Sequence, residues 1–152
     1  MTKVVAAIAA ILASTAATAA QAQSFTFESK NEAPTWIGAV SPEGVPFGSS
    51  TQKGTGATIF ADGRKASYSF TCVQMNQPEH DSIFNSHMVC DVAASDGNFA
   101  VIGGCNFLDK ERTKNSCVAG LYGKSGAYQG KRGNLATQGG STSANGVGQW
   151  FR

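Results

Sequence analysis

The chain has 152 residues, a net charge of +2, only 14% charged residues and 18 glycines. No basic stretch has the footprint of a nucleic-acid binder, because Lys110, Arg112 and Lys114 are interleaved with Asp109 and Glu111. Low charge with abundant Gly, Ser and Thr argues against a helical bundle and for a β protein.

Met1-Thr2-Lys3 leads into an apolar run from Val4 to about Ala13, then small residues to Ala20-Gln21-Ala22. One positive charge, an apolar core and an A-x-A site form the secretory pattern. A membrane-spanning helix needs about 20 strongly apolar residues, and Ser14, Thr15 and Thr18 interrupt the end of this run. The expectation is a signal peptide over 1–22, cleaved after Ala22. Residues 23–152 then form a single periplasmic or secreted domain with no stable membrane anchor.

Beyond the leader the apolar residues follow period two, and no stretch sustains a helical period. Ser24–Ser29 alternates Phe25 and Phe27 with polar residues, and Thr35–Val40 is a short apolar strand. Ser41–Gly54, with Pro42, Pro46 and several Gly, Ser and Thr, is expected as a long loop. Thr55–Phe60 and Lys65–Met75 flank Asp62-Gly63, a primed-turn hairpin signal. Ile83–Ala93 and Gly97–Leu108 flank Asp96-Gly97, a second such hairpin. Lys114–Tyr122, Gly126–Gly133 and Asn134–Gln138 follow. Gly139–Gly148 is expected as a flexible segment, with Gln149-Trp150-Phe151 closing the sheet. The fold class is all-β: an antiparallel up-and-down barrel of about eight strands, which removes exposed edges. A two-layer β-sandwich is the alternative.

Four cysteines, Cys72, Cys90, Cys105 and Cys117, lie beyond the leader. An even count in an exported chain reads as disulfides. The sequence has no C-x-x-C pair and no Cys–His cluster at zinc spacing, so neither a metal nor a cofactor is expected. Each cysteine falls on the more apolar face of its strand. Cys72 goes with Ala66, Tyr68 and Phe70, Cys90 with Met88 and Val92, Cys105 with Phe99 and Val101, and Cys117 with Ala119 and Leu121. Opposed residues of a hairpin point the same way, and both midpoints, Asp81 and Glu111, fall in polar loops. The pairing favoured is therefore 72–90 and 105–117, each closing about 12 to 18 residues and worth about 3 kcal/mol in the chain-entropy model.

Gly126-x-Tyr128-x-Gly130-x-x-Gly133 follows an apolar strand. With Gly54-Thr55-Gly56-Ala57 and Ser67-Tyr68-Ser69-Phe70 upstream in the matching order, it resembles the allene oxide cyclase and dirigent barrels. The resemblance spans about residues 54–140. It implies an eight-stranded barrel with a mostly apolar cavity, and binding of a small hydrophobic ligand or substrate without a cofactor, in some members with cyclisation or coupling. It carries over at the glycines and Tyr128 only; the four cysteines and the His80–Cys90 segment depart from the plant pattern.

Few side chains in the strands exchange protons. His87 is mid-strand, on the face opposite the cysteines with Asn85 and Asp91, and is the candidate acid/base group. The plainer alternative is a histidine on a solvated face. Asp91 lies about 13 Å along the strand from it. Tyr68 and Tyr128 are candidate hydrogen-bonding or proton-donating groups in a cavity, set against ordinary core aromatics. His80 and Asp81 in the loop Gln77–Asp81, and Arg132 at the mouth, are candidate binding residues. Two functions compete. One is a barrel that holds or transforms a small hydrophobic molecule, as a cofactor-independent isomerase, cyclase or lyase if it is an enzyme. The other is a protein-binding or inhibitor module that uses Ser41–Gly54 or Gln77–Ser82. A homo-oligomer is left open.

Overall fold

The computed structural model describes residues 22–44, 46–76 and 83–151. Residues 1–21 of the expected leader and the loop residues His80 and Asp81 thus lie outside the described residues.

The strands are β1 (Gln23–Asn31), β2 (Thr35–Val40), β3 (Pro46–Phe60), β4 (Lys65–Asn76), β5 (Ser86–Ala94), β6 (Gly97–Phe107), β7 (Lys114–Gly123), β8 (Arg132–Gly140) and β9 (Ser143–Phe151). Every pairing is antiparallel, in the order β1-β9-β8-β7-β6-β5-β4-β3-β2. The sheet closes because β1 also pairs with β3, from Phe25 opposite Phe60 to Asn31 opposite Gly54. Eight strands therefore form a closed barrel, as expected, and the sandwich alternative falls. The ninth, β2, pairs only with the outer half of β3, from Thr35 opposite Thr51 to Val40 opposite Pro46. It adds an exposed strand beyond the rim.

Both hairpin turns form where Asp-Gly stands, with Gly63 at φ 85° and Gly97 at φ 150°, backbone that a side chain at either position would strain. Cys72 faces Cys90 across β4–β5, and Cys105 faces Cys117 across β6–β7. Both pairs are disulfide-bonded, with Cα atoms 4.0 Å apart, the close spacing of non-hydrogen-bonded opposed residues. The pairing deduced from strand parity is the one found.

Three segments differ from expectation. Ser41–Gly54 is not a loop throughout. From Pro46 onward it is the outer half of β3, hydrogen-bonded to β2 on one side and β4 on the other. Its small and polar residues mask the strand, because that part of β3 stands at the rim, where no apolar face is needed. Gly139–Gly148 forms the end of β8 and most of β9, with only Ser141-Thr142 between them. Gly126–Tyr128 is a short 3-10 turn rather than a strand. In addition, β5 begins at Ser86, not Ile83. Asn85 and Asn106 pin the preceding residues to β6: the Asn85 N–H donates to Asn106 Oδ1 at 2.9 Å, and the Phe107 N–H to Asn85 Oδ1 at 2.9 Å.

The core is the barrel interior. Phe25, Phe60, Val92, Val101, Leu121 and Trp150 meet there from six strands. Two Gly-x-Gly pairs make room for rings. Gly54 and Gly56 of β3 lie opposite Phe70 and Tyr68 of β4, and Gly146 and Gly148 of β9 lie opposite Phe27 and Phe25 of β1. A Cβ at any of the four would strike the ring opposite it, so each aromatic-x-aromatic pair lies over a bare backbone.

Candidate functional site

Inward positions are odd on β1, β6, β7 and β8, and even on β3, β4, β5 and β9. They enclose a cavity of about 150 Å³ within the barrel. Its character changes along the axis. At one end Phe99, Tyr128 and Trp150 stack as a floor, with ring centroids 4.8–5.3 Å apart. The turn Gly126–Tyr128 folds Tyr128 under the barrel. Gly126 at φ 60° and Gly130 at φ 75° shape that turn, and a side chain at Gly123 would strike the Tyr128 backbone carbonyl. The middle is lined by Phe25, Phe27, Tyr68, Phe70, Val101 and Leu121. Above these lie both disulfides and Met88, whose sulfur is 3.9 Å from Cys105 Sγ. At the far end Ser29, Asn31, Gln52, Gln74, Asn115 and Thr137 form a polar collar.

The collar is partly locked by its own hydrogen bonds. Asn31 Nδ2 donates to the Gly140 carbonyl at 3.1 Å, and Gln74 Nε2 to Ser86 Oγ at 2.7 Å. Ser29 Oγ donates to Asn31 Oδ1 at 3.3 Å. These bonds hold side chains at the ends of β1, β4 and β5 in fixed orientations, which a recognition surface needs.

Of the residues singled out in the sequence, Tyr68 lines the cavity. Its hydroxyl donates to the Glu28 carbonyl at 3.1 Å, and burial pushes its pKa up to about 12. Tyr128 sits in the floor, 2% exposed. Burial, and then the neighbouring Asp96 carboxylate, push its phenol well above the ordinary range. His87 stands on the outer wall. β5 runs without a bulge opposite Met75 on one side and Gly104 on the other, so strand parity turns His87 away from the lumen. Its ring meets Phe84 edge-on at 5.7 Å, and it is not brought together with Tyr68 or Tyr128. Asp91 is also outside, paired with Lys124 at 2.8 Å. The Arg132 guanidinium lies 4.7 Å over the Tyr122 ring on the outer wall, away from the collar.

Among the described residues that line the cavity there is no carboxylate, imidazole, amine or guanidinium. No group of three or more His, Cys, Asp or Glu placed to hold a metal occurs among the described residues. At neutral pH Tyr68 is a donor, not a base. The cavity can exclude water, surround an apolar body and hydrogen-bond a polar end. Among the described residues, none that lines it exchanges a proton near pH 7. The sequence does not reveal the collar: Ser29, Gln74, Asn115 and Thr137 stand in expected strands and Gln52 in an expected loop, but nothing local shows that their ends converge on one rim. The signal within reach was the matching of Gly-x-Gly to aromatic-x-aromatic on neighbouring strands.

No family model, curated protein or solved structure matches the chain. The class of protein is therefore set by its fold: a closed antiparallel β-barrel of eight strands with one strand added at the rim.

Proposed function

We propose that the protein is an exported binding barrel that takes a small, largely apolar molecule into its lumen. The observation that carries this is the cavity of about 150 Å³ with aromatic walls and a polar collar at one end. An apolar cavity of about that volume holds a benzene-sized guest. A confined lumen can also steer an isomerisation or cyclisation by shape. Here no proton-exchanging group lines it among the described residues, so binding is favoured over turnover. The likeness to allene oxide cyclase and dirigent barrels points the same way, with Tyr128 and its flanking glycines acting as the floor. The alternative of docking a partner protein through a free 41–54 loop is weakened, because Pro46–Gly54 is strand, with Gly48–Thr51 paired on both sides. The two disulfides support export, and with it removal of residues 1–22.

Ligand-observed NMR with toluene tests the reading. The wild-type chain and His87→Ala should bind alike, because His87 is outside the wall. Thr137→Trp, which fills the lumen, should abolish binding while leaving the barrel folded. A wild-type protein that binds no small aromatic, and releases no co-purified molecule in native mass spectrometry, would end this reading. Intact mass of exported protein should correspond to a chain starting at Gln23; a chain that keeps Met1 contradicts the export claim.

A further inference from the structure

We propose that the lumen selects an uncharged ligand: one ring or its equivalent in bulk, carrying a hydroxyl or N–H group, and that it rejects the matching carboxylate. This rests on the lumen being the binding site. Size comes from the cavity, whose volume of about 150 Å³ suits a single six-membered ring with a short substituent. It is well below the range of about 300–1,000 Å³ typical of pockets for drug-sized ligands.

The preference of the collar follows from which of its atoms are already used. Asn31 Nδ2 is turned to the Gly140 carbonyl, Gln52 Nε2 to the Ser141 carbonyl at 3.4 Å, and Gln74 Nε2 to Ser86 Oγ. One hydrogen of each of these amide nitrogens is thereby engaged, so a second N–H of each and the side-chain oxygens of Gln52 and Gln74 face a ligand together. A ligand that donates a hydrogen bond can satisfy them. A carboxylate only accepts, so it can use the N–H groups but leaves those oxygens without a donor. No lysine or arginine lines the lumen among the described residues to compensate the lost hydration. Burying an unpaired charge costs far more than burying a hydroxyl that finds a partner.

The test is calorimetric titration of the oxidised chain from Gln23 with benzyl alcohol, benzoate and toluene at neutral pH. Benzyl alcohol should bind at least tenfold more tightly than benzoate. Gln74→Lys should reverse that order by placing a cation at the collar. Asn115→Lys offers the same reversal from β7 if the first variant does not fold. Benzoate binding the wild type as tightly as benzyl alcohol would overturn the inference and leave the lumen as a binding site. Toluene binding while both headed compounds are refused would do the same, as would folded lysine variants that still prefer the alcohol. Failure of all three compounds to bind would remove the lumen reading itself.

Discussion

At the scale of single residues, the barrel depends on places where a side chain is missing. Gly148 lies under the Phe25 ring, and a methyl there would also come within 2.7 Å of the Asn134 carbonyl. The ring borders the lumen and would have to turn into it, while the Asn134 backbone is held within a closed wall. Gly148→Ala should therefore cost about 1–3 kcal/mol or more, read as a lower midpoint in urea. An unchanged midpoint would mean that Phe25 has room to swing. Tyr68 provides a second residue-scale prediction, with a definite sign. Burial raises its pKa from about 10 to about 12, so an unfolded chain loses this proton first. The stability tied to it is whole below about pH 10 and is lost as pH rises toward 12. Denaturation series at alkaline pH should show a shallower decline for Tyr68→Phe than for wild type. At neutral pH the variant should lose only the bond to the Glu28 carbonyl, about 1 kcal/mol. An identical alkaline slope in both proteins would count against a buried phenol. These pairings were half legible in the sequence: the alternation of Phe25 with Phe27 and of Tyr68 with Phe70 was plain. The strand carrying Gly146 and Gly148 was hidden, since glycine without its facing ring reads as a breaker.

At the scale of elements, the staples were the most readable feature. Strand parity put all four cysteines on inward faces, and midpoints in polar loops paired them. Both disulfides join adjacent strands, with sequence separations of 18 and 12. Replacing Cys72 and Cys90 together by alanine should lower stability by about 3 kcal/mol, again as a shift of the urea midpoint. The Cys105–Cys117 link should remain intact by peptide mapping. A loss well under 1 kcal/mol would say that the reduced, unfolded chain already holds β4 against β5. Strand ends were less readable. The outer half of β3 satisfies its backbone through β2 and β4 and carries no apolar face, so periodicity had nothing to register. The start of β5 is displaced because the Asn85 and Asn106 side chains stand in for sheet bonds.

At the scale of the whole molecule, closure follows from consecutive hairpins plus one seam, where β1 joins β9 and β3. An up-and-down barrel was legible because strand runs separated by turns leave few other ways to hide edges. The site was less so. Parity alone placed His87 opposite the cysteines, and the structure keeps it there. The depth and contents of the lumen were not legible, because a cavity is what remains after rings from many strands have packed, and no local pattern encodes that remainder. The seam has one further consequence. Gln23 lies opposite Trp150, so the start of the first barrel strand and the end of the last are neighbours in a ring that has no intrinsic beginning. A circular permutant, with residues 23 and 151 joined by a short Gly/Ser linker and new ends opened at the exposed Asp62-Gly63 turn, should fold to the same barrel with the same two disulfides. Native-like near-ultraviolet circular dichroism would confirm it. A permutant that merely collapses would show that this barrel depends on the order in which its strands leave the ribosome.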